Sequence, residues 1–119
     1  MPVRVFGAAK SYGMLKKVEA VKKISFGLEF GECFALLGIS GAGKSTLFKC
    51  LTGEIKPTAG QMGINGQNIL NPSGLAQARK DIGYCPQFDA QYEDLSVLEH
   101  LELYASIKGI KKDIRERII

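Results

Sequence analysis

The sequence predicts an α/β fold, because strand patterns and helix patterns both occur along its 119 residues and a glycine-rich loop connects one of each. Residues 33–37 are a short apolar run, which predicts a buried strand. Residues 47–51 have the apolar spacing of a helix, and Gly53 stands where such a helix ends. The other elements are predicted to pack around this unit of strand, loop and helix.

The N-terminal part of the chain predicts further strands. Residues 3–6 alternate in character, and residues 18–21 open a second strand region. Residues 24–30 alternate apolar with polar or small side chains over seven positions, which predicts a half-buried strand. The side chains predicted to share its buried face are Ile24, Phe26, Leu28 and Phe30.

The loop that follows the strand at 33–37 matches the phosphate-binding pattern G-x-x-x-x-G-K-[ST]. This pattern needs a strand before it and a helix after it, and both are predicted here. The alternative without a binding role is a glycine turn that only connects the strand to the helix, but the flanking elements favour phosphate binding. The site is expected at the carboxyl end of the strand. The candidate binding residues are Gly38, Ser40, Gly41, Ala42, Gly43, Lys44, Ser45 and Thr46.

The residue types in this loop suit a nucleotide triphosphate and its magnesium ion. Successive backbone N–H groups can form a concave anion site, to which a helix N-terminus adds its positive end. Gly41 and Gly43 can adopt positive φ and carry no Cβ to exclude phosphate oxygens. Lys44 supplies a positive charge at the β- and γ-phosphates, and the Ser45 hydroxyl can ligate Mg²⁺. Thr46 can reach the α-phosphate.

Turn signals divide the middle of the chain. A loop at 56–60 precedes a predicted hairpin over 61–69, whose two strands are joined by a primed turn at Asn65 and Gly66. A short helix is predicted over 75–79. Residues 82–85 predict another buried strand, which Pro86 ends.

Helical patterns dominate the C-terminal part. Ser96 and Glu99 have the spacing of a capping box. An apolar stripe follows them and ends at Gly109, which predicts one helix, and a second helix begins at Lys111. The only histidine, His100, lies in the first of these helices and is interpreted as a surface residue without a special role.

Composition limits the class of protein. The net charge of +4 is too small to indicate a nucleic-acid partner, and no apolar run reaches membrane-spanning length. The three cysteines, Cys33, Cys50 and Cys85, have no metal-binding spacing and sit in apolar surroundings. We therefore expect them to be reduced core residues of a cytosolic protein.

Three motifs in order give a family resemblance. Tyr12 precedes the phosphate loop at 40–46, and Gln87 follows the strand with the sequence Tyr-Cys-Pro-Gln. The chain resembles the nucleotide-binding domain of ATP-binding cassette (ABC) transporters. The sequences of residues 31–38 and 82–90 are most similar to those of subfamily A, whose members move lipids. The resemblance covers nearly the whole chain but only about the N-terminal half of a complete domain.

The resemblance implies a phosphate-loop NTPase core with an antiparallel β-subdomain over residues 1–90 and the start of a helical subdomain over 91–119. It implies that Tyr12 stacks on adenine and that Gln87, with Ser45, helps to hold Mg²⁺. Lys44 and Gln87 would then take part in ATP hydrolysis. The implied partners are a second nucleotide-binding domain and transmembrane domains, with this chain at the cytoplasmic face of a membrane.

Several parts of the family pattern are not matched. The sequence has no Leu-Ser-Gly-Gly-Gln signature and no apolar strand ending in Asp-Glu, and His100 comes too early to be the switch histidine. We therefore expect a truncated domain that binds Mg-ATP and has negligible turnover alone. In the family, the strand ending in Asp-Glu (Walker B) lies beside the strand that precedes the phosphate loop. Without that neighbour, the strand at 33–37 is expected to leave apolar surface exposed.

Two other interpretations remain open at this stage. The chain could be a non-catalytic fragment that binds nucleotide or a partner. It could also be another phosphate-loop enzyme, such as a GTPase or a small-molecule kinase, although it has no Asn-Lys-x-Asp guanine-binding motif. Tyr12 and Gln87 have no role in this last interpretation, and each could also be an ordinary loop residue.

Overall fold

The computed structural model describes all 119 residues and divides into two compact units, Met1–Gly83 and Tyr84–Ile119. The first unit contains four strands and two helices, and the second contains two helices. The α/β class predicted from the sequence is confirmed. The elements are β1 Val3–Tyr12, β2 Val18–Leu28, α1 Lys44–Leu51, β3 Ala59–Ile64, β4 Gln67–Asn68, α2 Pro72–Asp81, α3 Val97–Ile107 and α4 Lys112–Ile118.

The four strands form one antiparallel sheet in the order β2-β1-β3-β4. Val5 of β1 lies opposite Phe26 of β2 on one side and Met62 of β3 on the other. Val5 and Met62 are buried in a core to which α1 contributes Leu47 and α2 contributes Ala78. The core thus joins the sheet to the helix that follows the phosphate loop.

A bulge in β2 explains why the sequence predicted two strands where there is one. Val21 and Ile24 are three residues apart, so a regular strand would place them on opposite faces. Between Ala8↔Ile24 and Lys10↔Val21, β1 advances by two residues and β2 by three. Lys23 has a φ of +41°, and the extra residue in β2 brings both Val21 and Ile24 to the core. β2 ends at Leu28, two residues before the predicted end of the strand at Phe30.

The strands predicted at 33–37 and 82–85 are not formed, and the sheet contains no parallel pair. A strand exists only where the backbone groups of two segments pair in a regular ladder, and neither segment belongs to the sheet. Leu36 and Ile82 still pack against the core, whereas Leu37 is 88% exposed. The apolar surface expected at an unpaired loop strand is therefore present at Leu37.

The three cysteines are unpaired, but only Cys50 is a core residue. Burial raises the pKa of the Cys50 thiol, which favours its neutral form. Cys33 and Cys85 are exposed, so the prediction that they are buried is wrong. They lie on or beside the two apolar runs that lack strand partners.

The hairpin predicted around Asn65 and Gly66 is confirmed. Both residues have positive φ, at +47° and +77°, as a primed turn requires. The helix predicted over 75–79 is longer, since α2 begins at Pro72 and runs to Asp81. Proline suits the first turn of a helix, where its missing N–H costs no internal hydrogen bond.

The capping box predicted at the start of α3 is confirmed. The Glu99 amide donates to the Ser96 hydroxyl at 3.3 Å, and the Ser96 amide donates to the Glu99 carboxylate at 2.8 Å. His100 has a structural role that its sequence position did not reveal. The Tyr92 amide donates to its Nε2 at 2.9 Å, and its Nδ1 lies 2.9 Å from the Ser96 carbonyl oxygen. An accepting Nε2 makes Nδ1 the donor, so His100 ties residues 92–96 to α3.

No helix in the structure combines the length and the apolar character that a crossing of the bilayer requires.

Replacing Ser96 by Ala should destabilise α3 by about 1 kcal/mol, because it removes the side-chain acceptor of the Glu99 amide. Amide hydrogen exchange in α3 should accelerate about fivefold at neutral pH. The Ser96 hydroxyl and then the Ser96 amide lower the pKa of the Glu99 carboxyl. The stabilisation of α3 by ionised Glu99 should therefore be present above the ordinary glutamate pKa and should disappear as the pH falls through the lowered pKa.

Replacing Glu99 by Gln should remove this pH dependence of the exchange rates in α3, and Glu102→Gln serves as the control. Equal pH profiles for the two variants would contradict the assignment.

Candidate phosphate-binding site

Two glycines in the left-handed region shape the loop before α1. Gly41 has a φ of +82° and Gly43 has a φ of +93°, so the positive angles predicted at both are confirmed. The Ala42 amide donates to the Ile39 carbonyl at 3.1 Å, which closes a turn between them. The loop is therefore compact and not extended, and it leads directly into α1 at Lys44.

Gly43 is also fixed by its contact with the sheet. A Cβ on Gly43 would lie 2.0 Å from the Ala20 carbonyl oxygen of β2, far inside any permitted contact. Only glycine combines the positive φ with this close approach. Gly41 differs, because its Cβ would meet nothing within 4 Å. The contact of Gly43 with Ala20 therefore sets where α1 begins relative to β2.

The amides at the start of α1 have no acceptor within the protein. The first helical hydrogen bond runs from the Leu47 amide to the Gly43 carbonyl at 2.9 Å. The amides of residues 43–46 precede it and make no backbone or side-chain hydrogen bond. Such orphan donors, at the positive end of a helix, attract an anion. The first turn of α1 contains no acidic side chain that could occupy them.

The Lys44 side chain folds back over the loop. Its ammonium donates to the carbonyl oxygens of Gly38 at 2.6 Å and Ile39 at 2.9 Å. A Cβ on Gly38 would lie 3.0 Å from that of Ala42 and 3.8 Å from the Lys44 side chain, so Gly38 leaves room for this path. One positive charge is thus held beside the unpaired amides.

The remaining polar groups of the loop are accessible. Ser40 and Ser45 are exposed, and Thr46 is half-buried in the first turn of α1. The Ser45 hydroxyl makes no hydrogen bond to the protein and lies on the same turn as the free amides. The chain has no cluster of three or more His, Cys, Asp or Glu side chains that could hold a metal ion by themselves. A hydroxyl beside an anion site suits a cation that takes most of its ligands from phosphate and water, as Mg²⁺ does.

A cavity of about 500 Å³ adjoins this loop in the first unit. Its wall includes residues 41–44 of the phosphate loop and residues 19–22 of β2. Leu36 and Leu37, from the apolar run before the loop, also line it. The cavity is therefore bounded partly by phosphate-loop residues and partly by the apolar run before the loop, which forms no strand.

Tyr12 is the last residue of β1 and is 44% exposed. It pairs with Val18 across the β1–β2 hairpin, and it does not line the cavity beside the loop. The Lys10 ammonium lies 5.1 Å from the centre of its ring. The ring thus lies at the end of β1 with a cation near it.

Gln87 belongs to the second unit, in the irregular segment before α3, and its side chain is exposed. Within the first unit, the candidates between Gly38 and Thr46 belong to one contiguous segment, and Tyr12 lies outside it at the end of β1. Sequence reasoning missed Ala20 and the neighbouring β2 residues of the cavity wall. Their role follows from the packing of β2 on Gly43, and no local pattern of residues 19–22 indicates it.

Comparison with known families finds one matching model, described as ABC transporter, over residues 21–118. The match begins within β2 and includes the phosphate loop and Gln87.

Curated relatives are large proteins of the ABC subfamily A. The chain is 42% identical to rat ATP-binding cassette sub-family A member 2 over 91% of its length. It is 44% identical to the human glucosylceramide transporter ABCA12 over 98% and 43% identical to the human retinal-specific phospholipid-transporting ATPase ABCA4 over 83%. The chain spans only 4% of the length of each of these relatives.

Solved structures with the same fold include an ATP-binding subunit and a cassette of ABC transporters. An ATP-binding subunit of an ABC transporter superposes with a TM-score of 0.83 at 31% identity, over 98% of this chain and 47% of that one. The dimeric cassette MJ0796 gives 0.81 at 27% identity, over 97% and 53%. A related structure of MJ0796, at 28% identity and a TM-score of 0.80, is described as a post-hydrolysis state bound to ADP and Pi.

Gly43→Ala should destabilise the first unit much more than Gly41→Ala. Both changes force a side chain into positive φ, at about 1–2 kcal/mol each, but only the Gly43 change also drives a Cβ into the Ala20 carbonyl. Urea unfolding of the two variants, compared with the unaltered chain, measures the difference. Equal midpoints for the two variants would mean that the contact with Ala20 does not constrain the loop.

Proposed function

This chain belongs to the ABC transporter family, and we propose that it binds Mg-ATP as the N-terminal part of a transporter's nucleotide-binding domain. The observation that supports this most is the set of unpaired amides at residues 43–46, beside the Lys44 ammonium. A polyphosphate is the ligand class that needs several donors and a cation in one place.

The proposed phosphate contacts follow from the loop geometry. The unpaired amides of residues 43–46 face the phosphate chain, and Gly38, Ser40, Gly41 and Ala42 complete the turn before them. The Lys44 ammonium, which now contacts two carbonyl oxygens, transfers to the β- and γ-phosphates when ATP binds. Because carbonyl oxygens are weaker partners than a phosphate anion, this exchange is favourable.

Ser45 is the residue of the first unit that would hold Mg²⁺, and the family resemblance gives Gln87 of the second unit the same task. Both offer neutral oxygen ligands, which suit a hard cation whose remaining ligands are water and phosphate. When bound, the ion neutralises charge on the phosphates during in-line displacement. In a complete nucleotide-binding domain, the Gln87 side chain would also orient the attacking water, and Lys44 would stabilise charge that develops on the γ-phosphate.

Tyr12 is proposed as the stacking surface for adenine. Its ring is accessible at the end of β1, and an aromatic ring offers a base a flat apolar face without requiring hydrogen bonds. This assignment favours ATP over the other polyphosphates that the loop alone could accept.

The proposed activity of these 119 residues is nucleotide binding, with negligible hydrolysis. Water attack needs a positioned base, and the sequence has neither an apolar strand ending in Asp-Glu nor a signature motif. In our proposal a second nucleotide-binding domain supplies its signature motif in the closed dimer. A structure of the related MJ0796 cassette is described as dimeric.

Transport of lipid across a membrane is the proposed purpose. Two subfamily A relatives are named as a glucosylceramide transporter and a phospholipid-transporting ATPase. We propose that residues 91–119 begin the helical subdomain and that this part works at the cytoplasmic face, next to transmembrane domains. ATP binding and hydrolysis would then be coupled to movement of lipid.

Lys44→Ala should weaken ATP binding about 10- to 100-fold, because a charge-assisted hydrogen bond contributes about 1.5–3 kcal/mol. Titration with a fluorescent ATP analogue in the presence of Mg²⁺ measures the affinity. Lys49→Ala, on the same helix, removes an equal charge from a lysine paired with Glu54 at 3.0 Å and serves as the control. Undiminished affinity in Lys44→Ala would contradict the assignment of Lys44.

The purified chain should release no phosphate from ATP above the rate of Lys44→Ala. A coupled phosphate assay under saturating Mg-ATP measures this. Clear turnover by the chain alone would show that it carries its own catalytic base and would contradict the binding-only proposal.

A further inference from the structure

We propose that Lys10 is a positioning residue for the base of the nucleotide, because its anchored ammonium holds the ring of Tyr12. This inference rests on the proposed function, since it concerns how the same site distinguishes ATP from other polyphosphates. It assigns to β1 a part in recognition that the phosphate loop does not supply.

The first step is the contact between Lys10 and Tyr12. The two residues are two positions apart on β1, so their side chains project from the same face of the strand. The ammonium lies 5.1 Å from the centre of the ring, within the range of a cation–π interaction. A half-exposed tyrosine side chain at the end of a strand can otherwise adopt several rotamers, and we propose that the cation restricts it to one.

The second step is the anchor of the ammonium itself. Lys10 Nζ donates to the carbonyl oxygen of Lys56 at 2.7 Å. The bond crosses from β1 to the loop that follows α1. The cation is therefore held at a fixed place, which a solvated lysine on a strand edge is not.

The third step is the rigidity of that loop against β1. The Thr58 amide donates to the Ala9 carbonyl at 2.8 Å, and the Ser11 amide donates to the Thr58 hydroxyl at 3.0 Å. The Thr58 hydroxyl also donates to the Ser11 carbonyl at 3.5 Å. With the bond from Lys10, four hydrogen bonds join residues 56–58 to residues 9–11 of β1. The ring of Tyr12 is thus positioned by the same loop that leaves the phosphate-binding helix.

The consequence is a division of labour in recognition. The loop at 38–46 binds phosphate whatever base is attached, whereas the ring held by Lys10 acts only on nucleotides that carry a base. One face of the ring is occupied by the cation, and the opposite face receives adenine. Pre-orientation of the ring reduces the entropy that binding costs.

The test compares ATP with inorganic tripolyphosphate on the 119-residue chain, using Lys10→Met and the control Lys56→Met. Methionine keeps an unbranched side chain at position 10 but removes the cation, and Lys56 contributes only its backbone carbonyl to the anchor. Lys10→Met should weaken ATP binding about two- to fivefold and leave tripolyphosphate binding unchanged. Lys56→Met should leave both affinities as they are, and Lys10→Arg should restore ATP binding.

The possible failures are distinguishable. If the unaltered chain binds neither ligand, or if Lys44→Ala does not affect binding, the proposed function itself fails. If ATP binds and Lys10→Met changes both ligands equally, or strengthens ATP binding, the positioning role is overturned. A measurement on the unaltered chain tests the contact even if a variant misfolds. Nuclear Overhauser effects should connect the Lys10 ε-protons to the Tyr12 ring protons. Their absence in the folded chain would overturn the proposal.

Discussion

The close approach of Gly43 to the Ala20 carbonyl is the constraint on which the rest of the site depends. A Cβ at position 43 would lie 2.0 Å from that oxygen, and residues other than glycine rarely adopt a φ of +93°. This contact fixes the residue that precedes α1 against β2. The direction of α1, and therefore the direction in which its unpaired amides point, follows from it. The phosphate-binding geometry is thus a property of the sheet as much as of the loop.

The antiparallel sheet and the phosphate loop are joined through one small core. Leu47 and Cys50 of α1 pack with Val5, Val21 and Met62 of the sheet, and all five are buried. Such a core is modest, since a chain of this length buries a limited fraction of its surface. Substitutions in it should therefore alter both the stability of the sheet and the orientation of the amides. Function and folding are coupled here by proximity, because the helix that supplies the anion site also supplies the core.

Local chemistry allowed the loop, the primed turn and the capping box to be predicted from the sequence. Gly43, Asn65 with Gly66, and Ser96 with Glu99 each specify a backbone geometry within a few residues. The strands at 33–37 and 82–85 could not be predicted in this way, because a strand also needs a neighbour from elsewhere in the chain. The bulge at Lys23 was missed for a related reason, since its effect becomes visible only in the register with β1.

The most direct test of the account is to follow the backbone amide resonances of the chain during titration with tripolyphosphate. The account predicts that the largest shifts occur at residues 41–46, where the amides of residues 43–46 have no acceptor in the protein. Unchanged resonances at residues 41–46, together with binding detected elsewhere on the chain, would contradict it.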